Sequence, residues 1–179
     1  MLPEKDAELW YALQTYYAQE MKVGDYLKSH HLTFFIPMSH TFTPDAEGNP
    51  VRHSSPIVHN IIFLKKTLLK DVIKDILSKC PYAIRVYTYP CETAWEEIPE
   101  EEIKELRLLC DCEFADLHII HLKKSDLKVG HMVKVVHGPL KGIHGLLIRK
   151  SKKFYIVKSY VGMEIAVIVS RWCCEKLDE

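Results

Sequence analysis

Residues Gly130 to Gly145 constrain the fold more than any other part of this 179-residue chain. Val133 and Val135 alternate with polar residues and lead into Gly138-Pro139-Leu140-Lys141-Gly142; Gly145 then opens a second apolar run. A helix is excluded, because glycine and proline each work against its backbone. Read with period two, the stretch is a strand, a tight turn and a second strand. Further short runs follow: Leu146-Leu147-Ile148-Arg149, a turn at Lys150-Ser151-Lys152-Lys153, Phe154 to Lys158, a turn at Val161-Gly162, and Glu164 to Val169. Five short strands in about fifty residues suit a small closed barrel, which leaves no sheet edge unpaired.

The N-terminal part mixes both periods. Trp10 to Thr15 reads as a strand, and Val23, Tyr26, Leu27 and His30 mark one face of a helix within Gln19–His31. Gly24 weakens that helix by about 1 kcal/mol relative to alanine, so tertiary packing must hold it. Thr33 to Pro37 reads as a second strand, Ser39 to Ser55 as an exposed mobile loop, and Pro56 to Leu64 as a near-continuous apolar strand. Leu69, Val72, Ile73, Ile76 and Leu77 repeat at helical spacing until Cys80-Pro81. Ala83 to Tyr89 alternates as a strand. Pro99 opens a third helix with Glu100, Glu101 and Glu102 in its first turn, where the helix dipole favours anions, and Ile103, Leu106, Leu109 and Cys110 form its apolar stripe. The order β-α-β-β-α-β-α describes an antiparallel sheet with helices packed on it, hence an α+β fold. The boundaries are 1–110 for the first domain, 111–126 for a linker that has room for a short strand at Leu117–Leu122, and 127–179 for the second domain.

Formal net charge is zero, but it is unevenly distributed. From Leu127 onward ten Lys/Arg face four Asp/Glu, whereas ten acids and only Lys104 and Arg107 lie between Glu92 and Asp116. That layout means either different partners for the two parts or simply solvated surfaces. No run reaches the length of a transmembrane helix, and the amino terminus has no signal-peptide apolar core. Six irregularly spaced cysteines suit a reducing cytoplasm better than a disulfide scaffold. Cys110-x-Cys112 with His118 and His121, or Cys173-Cys174, lacks zinc-ligand spacing, so no metal is expected. Without a nucleophile elbow, phosphate loop or His-Glu-x-x-His, neither catalysis nor a cofactor is expected.

Both halves resemble the NusG-like transcription elongation factors. Trp10, Tyr11 and Gln14 match the Trp-Tyr-x-x-Gln of the family's NGN domain, and Glu20 and Lys22 match the acidic and basic residues of its first helix. Asn60 and Phe63 match the family's third strand, Phe-Pro-Gly/Asn-Tyr-x-Phe-Val, while Val58, His59 and Ile61 depart from it. Gly130, Gly138-Pro139, Gly142 and Gly145 match the KOW pattern. The His59 to Phe63 wording resembles the UpxY-type antiterminators of capsular-polysaccharide operons. The resemblance implies an NGN domain with a four-stranded antiparallel sheet and helices, followed by an SH3-like KOW barrel. It also implies a non-enzymatic, monomeric factor that promotes processive transcription of a long operon.

Docking on the clamp helices of the largest RNA polymerase subunit would then involve Tyr11, Gln14, Val58, Ile61, Phe63 and Ile84. Lys22, Lys28, Arg52, His53, Lys65 and Lys66 would face nascent RNA or non-template DNA, since phosphate contacts need only surface positive charge. In the barrel the partner-binding places fall on Leu140, Val161 and the basic cluster Lys150, Lys152 and Lys153. Leu140 and Val161 replace phenylalanines common in the general factor, which counts against Rho or a ribosomal protein as partner. The β-branched runs Ile156-Val157 and Ile165 to Val169 argue for a barrel over the helical C-terminal domain of RfaH-like relatives. The alternative is a KOW-type module that binds ribosomal or structured RNA without polymerase.

Overall fold

A computed structural model of the chain describes residues 8–89, 92–111, 120–121, 130–160 and 163–177. The chain divides into two compact units, one built from Met1–Ser39 with Ser54–Leu106 and the other from His40–His53 with Arg107–Glu179. The architecture is α+β, as the sequence pattern indicates.

The first unit is organised around β1 (Leu9–Thr15). On one side it pairs with β5 (Ile61–Lys65), which carries the two-residue β2 (Phe34–Phe35) on its outer edge. On the other side β6 (Ile84–Val86) and β7 (Glu97–Pro99) pair with opposite ends of β1. Every pairing is antiparallel. Tyr11 lies opposite Leu64 and Leu13 opposite Ile62, so these four share one face. They pack with Val23 and Leu27 of α1 (Glu20–Ser29), with Leu32, and with Ile73 of α2 (Lys70–Ser78). Burying side chains of this size contributes about 1.5–3 kcal/mol each. Gly24 has a packing reason: a Cβ there would lie 3.0 Å from the Phe34 ring and 3.2 Å from Ile36 Cδ1. The third helix, α3 (Glu100–Asp111), follows β7 directly and buries the expected Ile103, Leu106, Leu109 and Cys110.

Four sequence expectations are corrected here. Ser39 to Ser55 is not a loop but a hairpin of β3 (Met38–Pro44) and β4 (Pro50–Pro56). Its turn is closed by Asp45, whose Oδ1 accepts the Glu47 and Asn49 N–H groups at 2.9 and 2.8 Å. Polar residues on both strands hid its period. Pro56 to Leu64 is not one strand, because Asn60 sits at φ 64° and breaks the extended backbone before β5. Ala83 to Tyr89 is extended as a ladder only at Ile84–Val86, with a lone bridge between Thr88 and Trp95 beyond it. Of the apolar stripe of α2 only Ile73 is fully buried; Leu69 is 79% exposed and Val72 is also exposed.

Among its described residues the second unit holds, besides part of the β3–β4 hairpin, a six-stranded antiparallel sheet: the five strands of the pattern and a short one in the segment Leu117–Leu122. Its strands are β8 (Ile120–His121), β9 (His131–Val135), β10 (His144–Lys150), β11 (Lys153–Tyr160), β12 (Met163–Val169) and β13 (Cys174–Lys176). They run in the order β13-β9-β10-β11-β12-β8. A 3-10 turn at Arg171–Cys173 joins β12 to β13. Ile148, Tyr155, Val157 and Ala166 cluster on one face, with Tyr155 opposite Ile148 and Val157 opposite Ala166. Gly145 is required by closeness: a Cβ there would sit 2.6 Å from the Val157 carbonyl oxygen. Gly138 and Gly142 instead hold positive φ, at 87° and 102°, in the turn between β9 and β10. Ser151 and Lys152, both at positive φ, form the two-residue turn between β10 and β11, a geometry whose twist matches that of the strands it joins.

Candidate functional site

The face of the first sheet opposite Tyr11 and Leu13 is set by register. Gln14 lies between Ile61 of β5 and Arg85 of β6, and Ala12 lies opposite Phe63, which itself faces Phe35 of β2. Tyr87 continues this second row, its N–H donating to the Ala12 carbonyl at 2.9 Å. Two rows therefore cross the sheet, Ile61-Gln14-Arg85 and Phe35-Phe63-Ala12-Tyr87. Their β5 ends are closed: Ile61 is 1% and Phe63 0% exposed, and the Phe35 and Phe63 rings stack at 6.2 Å. Their β6 ends are open. Gln14, Arg85, Tyr87 and Thr88 line a shallow pocket of about 170 Å³. Burial pushes the Tyr87 phenol above its usual range, and Tyr16 adds to this while Arg85 opposes it. The pocket thus offers an amide, a guanidinium and a protonated phenol, which suits a polar or anionic partner group.

The sequence-derived docking set separates accordingly. Gln14 lines the open pocket. Ile61 and Phe63 share its face but are covered, so they do not form an exposed patch. Tyr11 belongs to the opposite face and is buried there, its hydroxyl donating to Glu97 at 3.3 Å. Ile84 packs against that same core. Val58 is buried in the bend before β5. Arg85, Tyr87 and Thr88 were missed. The alternation of Ala83 to Tyr89 carried a signal for Arg85 and Tyr87, because both fall on its polar phase, facing as Gln14 does.

The basic candidates are dispersed. Lys22 and Lys28 are exposed on α1, six residues and thus about 120° apart around the axis, so they do not share a face. Arg52 and His53 are exposed on β4, in the segment grouped with the second unit. Lys65 and Lys66 are committed inside the first unit. Lys65 pairs with Glu8 at 3.0 Å and lies 3.9 Å from Glu100, while Lys66 pairs with Glu97 at 2.7 Å. The Trp10 indole N–H also donates to Glu100, at 2.5 Å. Part of the acidic run from Glu92 therefore serves to anchor β7 and α3 to the sheet.

Asn60 and Glu20 proved structural. The buried Glu20 carboxylate accepts the Asn60 N–H. The Asn60 side-chain oxygen accepts the Ala18 N–H at 3.1 Å, and its carbonyl accepts the Thr15 N–H at 3.0 Å. Three segments meet on one left-handed residue, a backbone state that asparagine tolerates better than most side chains.

In the second unit Leu140 is only 8% exposed, so it packs inward between Gly138 and Gly142 and offers no anchor to a partner. Val161 lies outside the described residues, as do Cys112 and His118. Lys150, Lys152 and Lys153 are all exposed at the β10–β11 turn. Among the described residues no group of three or more His, Cys, Asp or Glu side chains is arranged to hold a metal ion. No described helix is long and apolar enough to cross a membrane.

The family model described as "Transcription termination factor nusG" matches residues 8–107. A solved structure described as "Domain interaction in Thermotoga maritima NusG" is similar in fold, with a TM-score of 0.53 and 16% sequence identity. That likeness covers 96% of this chain and 98% of the Thermotoga maritima chain. No curated protein matches the chain.

Proposed function

The chain belongs to the NusG family, and from that premise we propose that it binds RNA polymerase through its first unit and promotes processive elongation, in the manner of an antiterminator. The observation that carries this reading is the family match across residues 8–107, the part of the chain that builds the Gln14-Arg85-Tyr87 pocket. The contact we assign to the clamp helices of the largest polymerase subunit is the open end of the two rows: Gln14, Arg85, Tyr87 and Thr88. Ile61 and Phe63 join it only where docking uncovers their end of the sheet. Binding alone supplies the energy, so the factor favours the processive state by the amount that it binds that state more tightly. A tenfold shift between paused and moving polymerase needs a difference of about 1.4 kcal/mol.

The specialist reading, an antiterminator of a surface-polysaccharide operon, is supported by the His59 to Phe63 wording and by the inward-facing Leu140, which leaves that turn without an exposed aromatic anchor for a second partner. The test is binding of the purified chain to immobilised core polymerase, followed by transcription through an intrinsic terminator. Arg85→Glu with Tyr87→Ala should weaken binding by at least roughly 30-fold, the effect of losing even one interface anchor. Failure of the unaltered chain to bind polymerase refutes the proposal. Binding that ignores the double substitution refutes the assigned contact.

A further inference from the structure

Cys173 and Cys174 are the only adjacent pair among the six cysteines of the chain. They straddle a change of backbone: Cys173 ends the 3-10 turn Arg171–Cys173, and Cys174 begins β13. Two neighbours within one strand would point to opposite faces of the sheet. The turn removes that alternation here. The Ser170 carbonyl oxygen accepts both the Cys173 N–H, at 2.9 Å, and the Cys174 thiol, at 3.7 Å. The Cys174 sulfur is thereby drawn back over the turn, onto the backbone that carries Cys173. Both residues are only half-buried, so a small molecule can reach them.

A bond between these two sulfurs cannot form on the backbone as it stands. Neighbouring Cα atoms lie about 3.8 Å apart, whereas disulfides usually span about 4.4–6.8 Å between theirs. The peptide joining Cys173 to Cys174 therefore has to bend. That peptide is held on both sides. The Cys173 N–H is bound to Ser170, its carbonyl accepts the Val136 N–H at 2.8 Å, and Cys174 lies opposite Val135 in the ladder to β9. Closing the bond and loosening β13 from β9 are thus one event. A bond strained in this way is readily reduced again, which suits a reversible modification.

We propose that Cys173 and Cys174 form a modification site for thiol–disulfide exchange with small disulfides of the glutathione type, and that closing their bond frees the start of β13 from β9. One cysteine thiolate attacks a sulfur of the small disulfide, whose S–S bond breaks and expels a thiolate. The second cysteine then attacks the protein-bound sulfur of this mixed disulfide and expels the other thiolate. Each expelled thiolate takes up a proton that a cysteine gave up. Two protein thiols are oxidised, and one small disulfide is reduced to two thiols. Burial, with Cys173 adding to it, holds the Cys174 thiol above its usual range, so exchange is slow at neutral pH and quickens as pH rises. The site goes beyond polymerase docking and uses none of the residues assigned to that contact.

The experiment treats the full chain with oxidised glutathione across a pH series, blocks the remaining thiols in acid, and digests with trypsin for mass spectrometry. Cleavage after Arg171 and Lys176 releases Trp172–Lys176, which carries both cysteines and none of the other four. This peptide should become lighter by two hydrogens, at a rate that rises roughly tenfold per pH unit above neutrality, as the thiolate fraction does. Hydrogen exchange of the Val136 amide should quicken roughly tenfold on oxidation, the effect of losing one backbone hydrogen bond. Dithiothreitol should reverse both changes. Cys173→Ser and Cys174→Ser should each abolish the lighter peptide, whereas Cys80→Ser should leave it. Both positions are half-exposed and serine has nearly the same shape, so neither variant threatens folding. The proposal is overturned by any of four results: no loss of mass, a glutathione adduct as the end product, a bond from either residue to another cysteine, or the lighter peptide with Val136 exchange unchanged.

Discussion

Replacing Glu20 by alanine should unfasten the junction that sets the geometry of the first unit. Glu20 is 1% exposed, opens α1, and accepts the N–H of Asn60, the residue that turns the chain into β5. A hydrogen bond to a charged acceptor contributes about 1.5–3 kcal/mol. Removal of a carboxylate from the first turn of a helix costs a further ~0.3–1 kcal/mol. Asn60 is only partly buried, so water recovers some of its bonding, and a net loss of about 2–3 kcal/mol follows. In a unit of this size that is a fall in Tm on the order of 10 °C. Tryptophan fluorescence is the suitable assay. Trp10 is buried and Trp95 partly so, both within the first unit, while Trp172 is already exposed and changes little on unfolding. The urea midpoint should fall with the slope m unchanged, since no new surface is buried or exposed in the native state. Glu20→Gln retains an acceptor oxygen but not the charge, and should lose about half as much. A Glu20→Ala chain within ~0.5 kcal/mol of the unaltered one would refute the reasoning and make Asn60 an ordinary turn residue.

Three further outcomes are expected. Gly145→Ala forces a Cβ to within 2.6 Å of the Val157 carbonyl and 2.7 Å of Ile156 Cγ2, costing about 1–3 kcal/mol by overpacking. Gly138→Ala meets open space but positive φ, so far-UV melts should show a loss of about 1–2 kcal/mol that Gly138→Asn partly restores, while Gly145→Asn does not recover. The Asp45 carboxyl is held below its usual range by the backbone N–H of Asn49, with that of Glu47 adding to it, so its folded value is depressed. Its support of the β3–β4 turn is therefore complete at neutral pH and is lost as pH falls below the ordinary aspartate range. The Glu47 and Asn49 amide signals should move together there by NMR, and Asp45→Asn should abolish that response. Because Lys66 is hydrogen-bonded to Glu97, which raises its pKa, Lys66→Ala should change RNA affinity by less than twofold. A larger effect would return Lys66 to the nucleic-acid surface.

Elements with a strong local period were legible from the residues. The third helix was legible from Pro99 and the three glutamates after it, because proline suits a helix start and the dipole favours anions; α3 begins at Glu100, directly after Pro99 closes β7. The turn at Lys150 to Lys153 and the strands around it follow from alternation, and that same register sets Arg149 opposite Phe154. The β3–β4 hairpin was illegible because its strands are polar on both faces and β4 is exposed along nearly all its length, which leaves no alternation to read. The candidate docking site was half legible. Gln14 was found through its motif, but Arg85 and Tyr87 carry no motif and gain meaning only from lying beside β1.

By itself, then, the sequence determined the family, the α+β order of elements and the tight turns of the second unit, since each depends on residues near one another in the chain. Tertiary structure alone decided which apolar residues are surface. Alternation places Ile61 and Phe63 on one face and Ile62 and Leu64 on the other, but it cannot say that both faces are covered. It also decided that Leu140 turns inward, that Lys65 and Lys66 are held by glutamates thirty or more residues away in sequence, and that Arg171 reaches Phe154. Burial and pairing depend on which distant segments meet, and periodicity carries no information about that.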